Sequence, residues 1–432
     1  MMYTKELIED IYGLKYEHFD ENTINNAKRI ILDTLGVAFA GSKTKTGTIW
    51  LNYFKDLNRT GNCSILGTPL KYDVESAASL IAAWAHALDF DDVHTKSIVH
   101  PAAVTIPLAL ALKEDLNKSM NETIEAIIIG FEMACRIGES INPSSYWFWH
   151  TTALVGSLSN CIVACKMLGL SKKETLNSIG NAGSQASGLW DFLKEGAMTK
   201  TVHVARAASN GLFAATAASY GLTGSSTILE GDRGLIKAVA DDYDLKKLIF
   251  SKDNLKINED SIKAYPCCRH THSGIYAILK IRNKINIDEI ISIEDNVYHT
   301  CYELTNNPNP NTSYACKFSL QYCLAIALLD GGVNIESFSD ESFKRQEIKD
   351  IMEKIKIIDN KNVNKIHLSD TRKWIHNIKI TTKSDTIEIM EEYPYGDYLN
   401  PMSTEDLLNK FNSLTYSMEL KEKDRILNAL GF

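Results

Sequence analysis

The stretch Trp84-Ala-His86-Ala-Leu-Asp89-Phe-Asp91-Asp92-Val-His94-Thr95-Lys-Ser-Ile-Val-His100-Pro101 divides two apolar runs. The first, from Ala77 to Leu88, gives way abruptly to carboxylates, imidazoles and a hydroxyl. The second opens at Pro101. Proline suits the first turn of a helix, where its missing N–H is not needed. The stretch therefore reads as helix, polar loop, helix. Polar groups on a loop held by a rigid scaffold are a common layout for a binding or catalytic site. The alternative is an acidic loop that caps helices and meets water.

On either side of this stretch the pattern stays helical, out to about Asn258. Ile24, Ala27, Ile30, Ile31 and Leu35 recur at helical spacing. Asp73 can cap the helix that runs to Leu88. Ser119 with Glu122, and Ser171 with Glu174, are capping boxes. Ala153 to Ala164 and Ala205 to Ala218 are rich in small residues, which predicts central helices with close-set backbones. Near Lys263 the texture changes. Asn296 to Leu304, Ile355 to Ile358, Asn377 to Thr382 and Thr386 to Met390 read as strands, the last two as a hairpin around Lys383-Ser384-Asp385. Ser273 to Lys284 and Phe318 to Leu329 read as helices between them. After Pro401 the pattern is helical again. The expected fold class is mainly α with a smaller α+β domain. Residues 1–260 form the helical domain, 261–395 the α+β domain, and 396–432 a segment that returns to the first.

Composition narrows the function classes. The chain has 432 residues and a formal net charge of -8, so it offers no basic field to nucleic acid or an anionic membrane. Its N-terminus lacks the apolar core of a signal peptide, and no apolar run reads as a membrane span. The expected location is the cytoplasm. Nine scattered cysteines without a CxxC pair argue against a disulfide framework or structural zinc. No P-loop, dinucleotide fingerprint or G-x-S-x-G elbow is present. The reading is therefore of a site with no cofactor and no metal.

Four further polar clusters interrupt the apolar background. His150 precedes the first small-residue helix, where backbone N–H groups favour an anion. Lys200, His203 and Arg206 are spaced to share one face at the head of the second. Lys263-Ala-Tyr-Pro-Cys-Cys-Arg269-His270-Thr-His272 crowds cations, imidazoles and thiols together, facing an anionic substrate rather than a metal. Lys317 and Ser319 open an apolar helix, with ordinary capping as the plain alternative. In this reading the loop from Asp89 to His100 supplies acids and bases. His150, Lys200, His203, Lys263, Arg269 and His270 supply positive charge and proton donors. That set suits proton abstraction next to a carboxylate, with cations stabilising the enolate-like charge.

The clusters, in order, resemble the MmgE/PrpD family. The resemblance is carried by His86-Ala-Leu-Asp-Phe-Asp-Asp92 with His100-Pro101; by His150-Thr-Thr-Ala-Leu-Val-Gly156, Gly183-Ser-Gln-Ala-Ser-Gly188 and Lys200-Thr-Val-His203; by Gly221-Leu-Thr-Gly224 with Leu229-Glu-Gly231; and by Tyr265-Pro-Cys-Cys-Arg-His-Thr-His272, Lys317-Phe-Ser319 and Tyr393-Pro-Tyr-Gly-Asp-Tyr-Leu-Asn-Pro401. It spans nearly the whole chain. It implies a large helical domain built from both chain ends, an α+β lid domain, a homodimer and a site at the domain junction. By position, the family's functional residues fall on Asp89, His100, His150, Lys200 and Lys263. His94, Thr95, His203, Arg269 and His270 are the further substrate-binding candidates. The family's activities include 2-methylcitrate dehydration, cis-aconitate decarboxylation and iminodisuccinate epimerisation, and the substrate expected here is a small di- or tricarboxylate. The expectation here is a 2-methylcitrate dehydratase-like lyase, with decarboxylase, epimerase or a non-catalytic carboxylate binder as alternatives. The chain departs from the decarboxylase-like members at Val93, where they carry threonine, and at Cys268, where they carry histidine. Valine cannot donate a hydrogen bond, and a thiol replaces imidazole poorly.

Overall fold

Ser119 and Ser171 each form the expected reciprocal cap with the glutamate three residues on, and Asp73 accepts from the Ser76 N–H. These caps start three of the helices in the computed structural model, which describes residues 2–432. The chain divides into two compact units. The larger comprises Met1–Ala87, Asp91–Ser261 and Ser403–Phe432; the smaller comprises Leu88–Phe90 and Ile262–Met402.

The large unit is built on α1 (Glu21–Ser42), α2 (Val74–His86), α3 (Pro101–Asp115), α4 (Met120–Ile141), α5 (Thr151–Leu168), α6 (Lys172–Gly183) and α7 (Lys200–Ser219). Helix α7 packs on both α5 and α2. The small residues explain how. A Cβ added at Gly156 of α5 would lie 2.8 Å from the Ala207 Cβ of α7, and one added at Gly211 of α7 would lie 2.4 Å from the Asn160 Cβ of α5. Helix α5 is also long and apolar enough to cross a membrane, contrary to the sequence reading that no run is. It is 89% buried inside this unit, so its apolarity serves the core. Two short strands, β1 (Val93–His94) and β2 (Asp260–Ser261), pair antiparallel in the same unit.

The small unit holds α8 (His272–Ile281), β3 (Ile290–Val297), α9 (His299–Thr305), α10 (Leu320–Asp330), β4 (Ile355–Asp359), β5 (His376–Thr382) and β6 (Thr386–Glu391). The sheet order is β4-β3-β5-β6, with β3 and β4 parallel and the other pairs antiparallel. Ile275, Ile278, Leu320, Leu324, Ile293 and Ile378 belong to its core. The hairpin turn falls where the sequence put it, with the Thr382 N–H bonded to the Asp385 carbonyl.

One strand does not match. Residues 296–304 were expected as a strand; the strand is Ile290–Val297, and His299–Thr305 is helical. The inward positions of β3 include Asp295, a buried carboxylate that masks the period-two alternation. Its partner is His376, whose Nδ1 lies 2.6 Å from Asp295 Oδ2, while His376 Nε2 lies 2.8 Å from the His270 carbonyl. With an oxygen acceptor at each ring nitrogen, His376 is an imidazolium. Burial works against its charge, but the Asp295 carboxylate holds its pKa well above the ordinary value.

The C-terminal segment belongs to the large unit from Ser403 onward, as α11 (Thr404–Leu414) and α12 (Leu420–Leu430), whereas residues 396–402, expected with it, fall in the small unit. Helix α11 lies on α1, with the Phe411 ring over Gly36. Lys410 Nζ reaches Asp33 Oδ1 of α1 at 2.7 Å, and both side chains are buried.

Candidate active site

In the large unit the ends of four helices and the loop after α2 bring five imidazole or carboxylate groups together. His86 ends α2, His100 caps α3 and His150 caps α5. His86 and His150 stack with ring centroids 5.5 Å apart and 14° between planes. His86 meets His100 edge-on at 5.0 Å. Asp91 Oδ2 lies 2.6 Å from His86 Nδ1 and 3.5 Å from His100 Nδ1. His100 Nδ1 also lies 2.6 Å from the Asp92 carbonyl, which can only accept. That nitrogen therefore carries hydrogen, and in the neutral ring Nε2 carries the lone pair. His203, one turn into α7, shares a 2.9 Å hydrogen bond between Nδ1 atoms with His150. His150 Nε2 is buried without a hydrogen-bond partner, which leaves it available to a ligand.

Lys200, the first residue of α7, is buried. Its charge acts on both neighbouring histidines. Burial pushes His150 well below its ordinary pKa, helped by the charges of His86, Lys200, His203 and His100. Burial, His86 and Lys200 bring His203 down to about 4. The sequence reading counted both as sources of positive charge. That is corrected here: at neutral pH both rings are neutral, and Lys200 is the cation at this end of α7.

The rest of the polar loop is engaged differently. His94 donates or accepts at Ser97 Oγ through Nδ1, and its Nε2 lies 3.5 Å from Glu259 and 3.9 Å from Glu139. Lys96 and Lys256 complete that network, at 2.5 Å from Glu259 and 2.7 Å from Glu139. Despite burial, His94 and the lysines hold the Glu259 carboxyl well below the usual range. His94 is thus tied to a buried ion network, whereas the buried Thr95 hydroxyl has no hydrogen-bond partner. Asp92 accepts from the Ala102 N–H at 2.8 Å, anchoring the start of α3. Burial, helped by the charge of Asp91, pushes Asp92 well above the usual carboxylate range, and burial, helped by Asp92, does the same to Asp260.

Two of these groupings have donor atoms close enough for a metal ion: His86 with Asp91 and His100, and His94 with Glu139 and Glu259. In the first, the Nδ1 atoms already face oxygen acceptors. In the second, two lysines already balance the carboxylates. Both sets are charge- and proton-sharing networks by composition.

In the small unit, Lys263 Nζ donates to the Asp89 carbonyl at 2.9 Å and to Asp89 Oδ1 at 3.1 Å. Both side chains are buried. Asp89 has φ +54°, a left-handed conformation that Asp tolerates better than most residues but that still costs strain. Lys317 Nζ donates to the Leu88 carbonyl at 2.6 Å and to that of Pro266 at 3.0 Å. Two buried ammonium groups therefore hold residues 88–89. The sequence reading singled out Lys317 as a polar start to an apolar helix, with capping as the alternative, and gave it no partner.

Arg269 pairs with Asp397 at 2.6 Å, with both side chains buried. His270 Nδ1 meets the Tyr298 hydroxyl at 2.5 Å, and its ring lies 4.7 Å from Trp374. Burial first, then nearby cationic groups, bring His270 down to about 3, so it too is neutral rather than a source of positive charge. Cys268 is buried, with its thiol pushed up to about 12 by burial and Asp89. Cys267 Sγ sits 3.2 Å from Thr271 Oγ1.

The cis-aconitate decarboxylase of Homo sapiens is 27% identical over 432 residues, covering 95% of this chain and 87% of that protein. That of Aspergillus terreus is 26% identical over 381 residues, covering 82% and 77%. The mitochondrial 2-methylcitrate dehydratase of Yarrowia lipolytica is 21% identical over 432 residues, covering 91% and 80%. Residues 5–248 match the MmgE/PrpD N-terminal domain and residues 265–430 the MmgE/PrpD C-terminal domain. The chain belongs to the MmgE/PrpD family.

Proposed function

We propose that the chain is a cofactor-independent lyase that removes water from a small hydroxy-polycarboxylate of the 2-methylcitrate type. The observation that carries this reading is the buried Lys263–Asp89 pair, a carboxylate fixed in a strained backbone conformation with an ammonium 3.1 Å away. Proton abstraction next to a carboxylate needs a base and a fixed positive charge to receive the charge that develops. In this reading Asp89, with His100 through Nε2, takes the proton from carbon and returns it to the departing hydroxyl, which leaves as water. Lys200 and Lys263 hold substrate carboxylates by charge. His150, being neutral, orients that hydroxyl by hydrogen bonding through Nε2. Thr95 and His203 supply further polar contacts. His94, Arg269 and His270 are engaged with the protein's own groups and shape their surroundings.

Decarboxylation is the second reading, and it draws support from similarity to cis-aconitate decarboxylases over most of the chain. The two departures from the decarboxylase-like members weigh against it. Val93 offers no hydrogen bond, and a Cys268 thiol raised to about 12 stays protonated at neutral pH. Epimerisation would use the same carbanion and return the proton to the opposite face.

Proton NMR in deuterated water distinguishes these outcomes. With 2-methylcitrate the expected result is loss of substrate and appearance of the unsaturated tricarboxylate. Release of carbon dioxide from cis-aconitate without turnover of hydroxy acids would replace dehydration by decarboxylation. Neither turnover nor solvent exchange with any polycarboxylate would leave a carboxylate binder. Activity is also expected to survive dialysis against a strong chelator; loss together with one stoichiometric zinc or iron would remove the cofactor-independent part of the reading.

A further inference from the structure

The His86–Asp91 pair has no part in the reaction proposed above, yet it touches two histidines that do. His86 Nδ1 is 2.6 Å from Asp91 Oδ2, with both side chains fully buried. A carboxylate buried this deeply is costly unless a hydrogen-bonded cation accompanies it. Asp91 faces two imidazoles, and they are not equivalent. His100 Nδ1 is committed to the Asp92 carbonyl at 2.6 Å and stands 3.5 Å from Asp91. His86 has the shorter contact and lies wholly inside, while His100 retains 13% side-chain exposure. The proton that balances Asp91 therefore belongs on His86.

We propose that His86 and Asp91 form a positioning pair, in which the Asp91 carboxylate holds a proton on His86 and the resulting His86 imidazolium, stacked on His150, keeps His150 neutral for the substrate. The charged and titratable groups facing His150 are His86 from α2, His100 from the start of α3, and Lys200 and His203 from α7. Of these, His86 is the one in parallel ring contact. After burial, its charge is the leading cause of the low His150 pKa, and likewise for His203. The consequence is a division of labour. Lys200 supplies lasting positive charge, and His150 presents a neutral ring whose buried Nε2 can donate or accept but not attract by charge. Were both cationic, a carboxylate substrate would be held more tightly before reaction and the leaving hydroxyl would meet a different proton donor. This role in catalysis rests on the reading of the chain as a polycarboxylate lyase; the protonation states do not.

The test is an NMR titration of the full-length protein labelled with 13Cε1-histidine, with signals assigned by single replacements. In the wild type, His86 is expected to report an imidazolium from pH 5 to 8, and His150 a neutral ring over the same range. In His86→Gln the His150 midpoint is expected to rise by roughly one to two pH units, the effect of removing a charge about 5 Å away in a partly buried setting. Asp91→Asn, which removes the carboxylate against His86 Nδ1, is expected to raise it too. A neutral His86 in the wild type at pH 7 overturns the proposal whatever the variants do. So does an unmoved His150 titration in either folded variant, which would mark the pair as structural alone. The kcat/KM profile against pH for any acid turned over is expected to shift with the His150 midpoint in Asp91→Asn. Absence of turnover with every acid would sink the lyase reading, while the titration would still decide the charge of His86.

Discussion

Replacing Lys263 with methionine is expected to lower kcat/KM for the polycarboxylate substrate by roughly 30- to 5,000-fold, corresponding to ~2–5 kcal/mol of transition-state stabilisation. Methionine keeps the length of the side chain and removes the ammonium. In the proposed reaction that ammonium has two tasks. It sits 3.1 Å from the Asp89 carboxylate, setting how readily that group takes a proton, and it offers charge to the substrate. Lys200→Met is expected to act in the same direction, because Lys200 is the buried cation beside the neutral His150. Steady-state kinetics checks both, and normal turnover by both variants would remove the proposed roles. Read from sequence alone, Lys263 is a buried cation awaiting a substrate, and its removal should leave folding untouched. The Asp89 contact changes that. Lys263→Met takes a charged hydrogen bond from a buried carboxylate, so a stability loss of about 1–3 kcal/mol should accompany the kinetic one. Stability and kinetics must therefore be measured on the same preparation.

Asp397→Ala is expected to destabilise the small unit by about 3–5 kcal/mol, as expected when one partner of a buried ion pair is removed. The Asp397 carboxylate does two things. Oδ2 receives the Arg269 guanidinium at 2.6 Å, and Oδ1 accepts from the Leu399 N–H at 2.9 Å, which holds the turn after Pro394. Alanine leaves a guanidinium in a place that is 4% exposed, with the Trp374 ring 5.8 Å away as partial company. The double replacement Arg269→Met with Asp397→Leu should recover much of the loss, since replacing both charges by apolar groups is far cheaper than orphaning one. Urea denaturation measures both variants. A loss for Asp397→Ala below about 1 kcal/mol, a value ordinary for an exposed pair, would show that the guanidinium finds water.

What the sequence could and could not disclose follows from the kind of signal. Capping boxes at Ser119 and Ser171, the proline at 101 and the hairpin around Ser384 are local chemistry, and they predict local structure well. The strand Ile290–Val297 was displaced in the reading because Asp295 occupies an inward position; the partner that permits it, His376, lies 81 residues away. The same limit applied to charge. His150, His203 and His270 look like cations in a list of residues. Burial makes them neutral, and burial is a property of packing that no short spacing reports. Lys200, Lys263 and Asp89 were legible as candidates, because a charged residue beside an apolar helix is conspicuous. Their partners were not. His86 is the plainest omission: it was visible in the motif, but its pairing with Asp91 depends on the loop bending back over five residues.

The contact between Lys410 and Asp33 bears on how the protein is made. Asp33 lies in the middle of α1, and burial alone would push its carboxyl pKa up; Lys410 works against that from α11. On the ribosome α1 emerges long before the residue that carries its counter-charge. Until residue 410 is synthesised, α1 must keep Asp33 protonated, leave it in water or remain undocked. The groove over Gly36 likewise waits for Phe411. The large unit thus cannot reach its final packing until all of the small unit, which lies between these partners in the chain, has been translated.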